Sequence, residues 1–332
     1  MSIAPKELWT ISDVERLFRM KNKQALFKAE EKGVIPKAER TQRGKTSVRQ
    51  WRIEQLPQIG SKYGFLKQPR NQKIICVYTA KGGVLKTTLS YNLARVLALN
   101  GIKTLIVGLD IQCSITDIVI PLEEAEFLEE DDSQQPGSLY QYLVEKRPLK
   151  EIIKNTDIPT LDIIPESPDL NMLEKKMRIL NRREYLFRDK LISKLGQYKV
   201  ILFDNGPSWN QLIESALTAS NVVLSPVGCD VGTYQAIKTN LEALNEFKDS
   251  MDLRWKQFLL IPTLLEKTKL SQQIYGSYLN RFPKTILSAP IKRAVKGQEA
   301  VVLRQSVLEH DPTSPLAQDY YELIQQIWNK IN

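Results

Sequence analysis

The ten residues Thr79-Ala80-Lys81-Gly82-Gly83-Val84-Leu85-Lys86-Thr87-Thr88 constrain this chain more than any other stretch. An apolar run, Ile74 to Tyr78, precedes them, and Leu89, Leu93, Val96 and Leu97 follow at helical spacing. A strand that turns through glycines into a helix aims backbone N–H groups and the positive helix end at an anion, so the stretch reads as a phosphate loop. In that loop Lys86 supplies the ammonium that neutralises phosphate, and Thr87 the hydroxyl that holds a magnesium ion. The pattern G-x-x-x-x-G-K-[ST] is not met, because Ala80 and Leu85 stand where its glycines belong; the pattern present is K-G-G-x-x-K-[ST]. Gly82, Gly83, Val84, Leu85, Lys86, Thr87 and Thr88 are the candidate nucleotide contacts. A chance Gly-Gly turn near lysines is the alternative, and the strand before and helix after count against it.

The rest of the chain alternates in the same way. Asn100-Gly101 ends the helix, and Thr104 to Leu109 reads as a buried strand, which gives a right-handed parallel βαβ unit. Leu161 to Pro165, the run Tyr198 to Asp204, Val222 to Pro226 and Phe258 to Pro262 read as further strands, with helices at Ser138 to Glu145, Leu170 to Leu195, Thr233 to Phe247 and Leu316 to Ile331. The fold class is α/β, a doubly wound, mostly parallel sheet. Two carboxylates sit at strand ends: Asp204, placed to hold magnesium, and Asp110, placed to position water or the metal. The acidic stretch Glu123 to Asp132 has little apolar periodicity and reads as a solvated insertion.

Charge divides the chain. Residues 1–70 carry 16 Lys and Arg against 7 Asp and Glu, while the remainder carries 31 of each, so the whole net charge of +9 lies in the first part. At 332 residues there is room for two domains at roughly 150 residues each. The division expected is a small basic domain over 1–66, a linker over 67–72 and a large domain over 73–332. In the small domain Thr10 or Ser12 can cap a first helix bearing Val14, Leu17 and Phe18, a second runs from Lys21 or Asn22 to Glu31, and Gly33 closes it. The basic run Arg40, Arg43, Lys45 and Arg49 around Gly44 looks like a wing. Two short helices and a basic hairpin suggest a helix-turn-helix, with a generic three-helix interaction module left open. On the first reading Lys21, Lys23, Gln24 and Lys28 face the major groove, and Arg43, Lys45 and Arg49 contact phosphate or the minor groove.

The signature-lysine loop, with Gly108-Leu109-Asp110-Ile111-Gln112 and Asp204-Asn205-Gly206-Pro207-Ser208, resembles the ParA/MinD group of ATPases, whose patterns there are D-x-D-P-Q and D-T-P-P-S. Gly108, Ile111, Asn205 and Gly206 depart from those patterns. Pro262-Thr263 is similar to the family's P-T-x loop near the base, and Ile291 to Ala300 to its I-P-R-x-x-x-x-x-E-A segment. The first 66 residues resemble the MerR-like winged helix-turn-helix that precedes the ATPase in larger plasmid ParA proteins.

That resemblance implies an ATPase that uses ATP and magnesium, with a weak intrinsic rate. Lys81, Lys86 and Asp110 would serve the reaction; Thr87, Asp110 and Asp204 the metal. It implies a homodimer that sandwiches two ATP-magnesium complexes, in which Lys81 reaches the partner's phosphates. It further implies nonspecific duplex DNA as a partner, through Lys267, Lys292 and Arg293, and a ParB-like protein that stimulates hydrolysis. The setting would be the cytoplasm, at the nucleoid, and the N-terminal module would repress the chain's own operon. Two other functions remain: a nucleotide-tuned repressor, and an ATPase that positions another cytoplasmic cargo. Cys76, Cys113 and Cys229 have no metal-like spacing and suit a reducing compartment. No apolar run is long enough to span a membrane, and the last helix lacks the basic face of a membrane anchor. Cluster cysteines, which an iron-protein-like reductase would need near Asp204, are absent from the sequence.

Overall fold

Trp9 and Trp51 lie opposite each other in an antiparallel ladder, both fully buried, and the N-terminal unit is built around them. The computed structural model describes residues 6–43, 46–120 and 137–332. Lys45 and the acidic stretch Glu123 to Asp132 lie outside the described residues. β1 (Leu8–Thr10), β2 (Glu39–Arg43) and β3 (Thr46–Arg52) form a three-stranded sheet in the order β1-β3-β2. α1 (Ile11–Leu17) begins at Thr10, whose hydroxyl accepts from the Asp13 N–H while Asp13 accepts from the Thr10 N–H. α2 (Gln24–Glu31) buries Leu26 and Ala29, and Gly33 ends it in the left-handed region at φ 65°. Beyond β3, α3 (Leu56–Tyr63) carries the chain onto the large domain.

There, β4 (Lys73–Val77), β5 (Thr104–Leu109), β6 (Lys154–Asn155), β7 (Leu161–Ile164), β8 (Val200–Asn205), β9 (Val222–Gly228) and β10 (Gln257–Thr263) form one sheet. The order is β10-β9-β4-β8-β5-β7-β6, with every neighbouring pair parallel except β6 and β7. Side chains of β5, β7, β8 and β9 are buried throughout, because helices cover both faces. The crossover from β4 to β5 steps over β8, and the C-terminal ends of all three strands meet: Asp204 pairs in register with Val77 on one side and Gly108 on the other. α4 (Lys86–Leu99) makes that crossover, α5 (Ser114–Val119) follows β5, and the helix Pro315–Ile331 packs its apolar side into the core.

Two expectations fail here. Residues 67–72 are no free linker: Leu66 donates its N–H to Asn100 Oδ1 at 3.1 Å, Trp328 Nε1 donates to the Lys67 carbonyl at 2.8 Å, and Gln68 bonds the Gly101 carbonyl. Nor is Leu170 to Leu195 one helix. It is helical over Leu170–Met177, turns through Arg182 at φ 56°, and resumes in short 3-10 and π turns from Arg183 to Lys194. A left-handed residue cannot continue a right-handed helix, which accounts for the break.

The N-terminal unit shares a core with the large domain. A β-carbon on Gly60 would lie 1.8 Å from the Leu99 carbonyl oxygen, so α3 meets the end of α4 backbone to backbone. The Tyr321 hydroxyl donates to the Leu17 carbonyl at 2.7 Å, and its ring lies under the Arg19 guanidinium.

Candidate functional site

Between β4 and α4 the chain turns through Gly83 at φ 72° and Leu85 at φ 65°. Glycine reaches the left-handed region at no steric cost, whereas leucine holds it only under constraint from its surroundings. The constraint comes from β10: Thr263, fully buried, donates its hydroxyl to the Val84 carbonyl at 3.2 Å. Val84 is buried too, so it supports the loop from beneath. Pro262 lies in β10, its carbonyl accepting from the Ile291 N–H. Pro262 and Thr263 thus brace the loop, and it is Leu264, next along the chain, that lines the cleft.

The two lysines of the loop point differently. Lys86, 7 % exposed, donates its ammonium to the Lys81 carbonyl at 2.8 Å and closes the turn on itself. Burial holds its pKa below the usual lysine value, against the pull of Asp204 and Asp110. Lys81 is exposed, and its ammonium lies beside Gly232 and near Asp230, at the start of the helix Val231–Ser250. Burial would raise the Asp230 carboxyl, but bonds from Thr233 and the charge of Lys81 hold it below the carboxylate range.

Asp204 is fully buried at the end of β8. It accepts from the Thr87 hydroxyl at 2.8 Å and the Ser90 hydroxyl at 2.6 Å, and desolvation pushes its pKa up to about 6. A buried carboxylate with two hydroxyls and no cation bonded to it, set beside a phosphate loop, is a hard oxygen donor set that fits magnesium. Asp110 is half-buried at the end of β5, accepts from the Gln112 N–H, and lies under Gly206, where a β-carbon would stand 3.1 Å from its Oδ1. Asn205, buried, donates to the Val77 and Phe203 carbonyls and ties β8 to β4.

The loop and Asp110 open on a cleft of about 840 Å³, with Asp204 buried behind Thr87. Gly82, Gly83, Lys86, Thr87, Thr88 and Asp110 form its polar side; Leu264, Ile291, Val301, Val302, Leu316 and Tyr320 form the apolar one. A polar, cation-bearing wall facing an apolar wall suits a molecule with phosphates at one end and a flat heterocycle at the other. Sequence reasoning missed Ser90, although it falls one helical turn after Lys86 and Thr87. It also missed the part of the apolar wall that comes from the helix Lys296–Val302 and the C-terminal helix.

The DNA candidates divide by exposure. Lys21, Lys23, Gln24 and Lys28 are all exposed at and along α2. Arg49 pairs with Glu30 at 3.0 Å and its guanidinium covers the Phe27 ring, because a half-buried cation needs a counter-charge, so contact with phosphate would require it to exchange that partner. Arg43 lies on β2 at the tip of the hairpin. Lys267 is exposed, Lys292 pairs with Asp319 at 2.5 Å, and Arg293 pairs with Glu266 at 2.9 Å.

Known proteins resemble the chain over this region. Residues 72–257 match the family described as AAA domain. The sporulation initiation inhibitor protein Soj of Bacillus subtilis is 30% identical over 263 residues, which are 77% of this chain and 98% of Soj. The chromosome partitioning protein ParA of Caulobacter vibrioides is 28% identical over 260 residues, 77% of this chain and 93% of that protein. The crystal structure of a putative plasmid partition protein from Borrelia burgdorferi, bound to AMPPNP, shares the fold at a TM-score of 0.64 and 23% identity, covering 79% of this chain and 100% of that one.

Proposed function

The chain belongs to the ParA/MinD family of P-loop ATPases, and from that premise we propose that it partitions DNA: an ATP-sandwich homodimer that binds duplex DNA nonspecifically and is switched off by hydrolysis. The observation that carries this reading is the divided placement of its two loop lysines. Lys86 is turned inward and buried, where it serves the chain's own phosphates; Lys81 stands exposed at the same loop, where a second protomer's phosphates can be met. Magnesium, held by Thr87 and Asp204 with Asp110 facing them, would supply charge neutralisation at the β- and γ-phosphates. The chain's own residues do the rest. Lys86 and the loop N–H groups bind phosphate oxygens, Asp110 orients the attacking water, and the apolar wall of Leu264, Ile291 and Tyr320 holds the base out of solvent.

On this reading a ParB-like protein stimulates hydrolysis and releases DNA, and the site of action is the cytoplasm, at the nucleoid. No helix among the described residues is long and apolar enough to cross a membrane. The N-terminal unit serves as a winged helix-turn-helix that binds an operator. The exposed row Lys21, Lys23, Gln24 and Lys28 favours that assignment, and by itself it also fits a repressor whose operator binding the nucleotide merely tunes. Lys267 remains an exposed candidate for nonspecific DNA; Lys292 and Arg293 would have to exchange their carboxylate partners for phosphate.

The test is binding of the full chain to random-sequence duplex with ATP-magnesium, ADP or no nucleotide, across a salt series, beside Lys81→Ala and Lys86→Ala. Tight, salt-sensitive binding with ATP alone, lost in both variants, is expected. Binding indifferent to nucleotide, and confined to residues 1–70, would leave the repressor.

A further inference from the structure

Gly108 is the position at which this chain breaks the D-x-D pattern of the segment before α5. It pairs in register with Asp204, and its neighbour Val107 pairs with Ile164 at the end of β7. A β-carbon built on Gly108 would lie 2.4 Å from Glu166 Cγ and 2.9 Å from Cδ. The volume a side chain at 108 would fill is therefore already taken by the carboxyl group of Glu166, which enters from the loop two residues beyond the end of β7. That carboxyl is 5 % exposed and engages one short segment. Oε1 accepts from the Asp110 N–H at 3.1 Å, and Oε2 accepts from the Ile115 and Thr116 N–H groups and the Thr116 hydroxyl, each at 3.2 Å. The Thr116 hydroxyl in turn accepts from the Glu166 N–H at 2.8 Å.

We propose that Glu166 is a positioning residue of the ATPase site, a carboxyl group supplied by the segment that follows β7 in place of one at position 108, which holds the Asp110–Thr116 segment in its working conformation. The inference rests on the chain being an ATPase. Glu166 fixes Asp110 through its backbone N–H and fixes the first turn of α5 through two more, so both ends of the segment are tied to one carboxyl. Such a bridge governs where the Asp110 side chain stands, and geometry at that point acts on the hydrolytic step more than on nucleotide affinity. Burial raises the Glu166 carboxyl to about 8, with the charges of Asp204 and Asp110 adding to it and the N–H donors opposing. Two neighbouring carboxylates and few solvent contacts are the surroundings of a group kept for its hydrogen bonds.

The experiment compares the full chain with Glu166→Ala, Glu166→Gln, Gly108→Asp and the pair Gly108→Asp with Glu166→Ala. It measures ATP turnover, ATP affinity by a fluorescent analogue, and amide exchange at Asp110, Ile115 and Thr116. Glu166→Ala should lower kcat about tenfold or more, with ATP affinity changed less than about threefold, and speed exchange at those three amides alone. Glu166→Gln, which keeps the acceptor oxygen, should lie between it and the parent. Gly108→Asp alone should destabilise through its collision with Glu166, while the pair should recover most of the lost turnover. Turnover and local exchange unchanged in Glu166→Ala would overturn the proposal. So would a loss of kcat matched by affinity, faster exchange across the whole chain, or a pair no better than Glu166→Ala. An inactive parent would instead fault the ATPase assignment in this assay.

Discussion

The two ends of α4 use glycine in opposite ways. At the N-terminal end, a β-carbon on Gly82 or Gly83 would meet nothing within 4 Å. At the C-terminal end, one on Gly60 would lie 1.8 Å from the Leu99 carbonyl oxygen, one on Gly64 2.2 Å from Asn100 Oδ1, and one on Gly101 2.5 Å from Ser61 Cβ. Missing side chains give room for a ligand in the first case and let two parts of the chain touch backbone to backbone in the second. The charges differ in the same sense. The loop end holds buried carboxylates, Asp204 and Glu166, without a bonded cation. Farther along α4, the buried Arg95 is bracketed by Glu309 at 2.7 Å and Asp157 at 2.8 Å. One end is built at a cost to stability that a ligand can offset; the other is built to cohere.

The largest effect that would expose this difference is on the pH dependence of stability. Asp204 and Glu166 stand at about 6 and about 8 in the folded chain, both above the ordinary carboxylate values near 4, with burial the first cause in each. Folded protein therefore holds more protons than unfolded between roughly pH 4 and 8, and stability falls as pH rises through that window, by about 1.4 kcal/mol per unit for each group still protonated. Denaturant unfolding of the ligand-free chain should show that slope, and Glu166→Gln should flatten its upper half. A stability that rises from pH 5 to 8 would mean that these carboxylates are compensated after all, and the contrast between the ends would go.

Next in size is the pair Gly60→Ala and Gly82→Ala. The first drives a methyl group into the Leu99 backbone and should cost about 3 kcal/mol or more, because neither α3 nor α4 can yield without parting. The second should stay within about 0.5 kcal/mol of the parent while weakening nucleotide binding. Urea midpoints and analogue titration on both variants check this. Equal stability losses would show that the loop is packed as tightly as the seat.

What was legible in the sequence follows the same division. The loop, Asp110 and Asp204 could be read because their chemistry demands particular residue types beside one strand, one turn and one helix. The elements of the N-terminal unit could be read from a cap at Thr10 and a glycine at 33. The seat of that unit on α4 could not, since Gly60, Gly64 and Gly101 look like ordinary turn residues until the partner surface is known; hence 67–72 read as a linker. Glu166 was hidden for a related reason. Its role depends on β5 and β7 being neighbours, a pairing between segments more than fifty residues apart that no local pattern encodes. Arg49 read as a DNA contact because a basic hairpin usually is one, and its ion pair with Glu30 on α2 was out of reach of that local pattern.

The smallest effect concerns Gly83 and separates two reasons for glycine that the loop combines. Space is not the reason at this position, since nothing stands within 4 Å of where a β-carbon would be; backbone conformation is, at φ 72°. Gly83→Ala should then cost about 1 kcal/mol, the usual charge for an L-residue held left-handed, with no change in packing elsewhere. Leu85 already bears that cost two residues on, at φ 65°, with part of its side chain set against the core as compensation. The alanine gains no such contact. If a thermal melt shows Gly83→Ala as stable as the parent, the turn relaxes once strained, and the left-handed geometry at Gly83 is a preference of glycine rather than a requirement of the loop. If the loss is near 1 kcal/mol and persists or grows at saturating nucleotide, the strain belongs to the conformation that nucleotide selects.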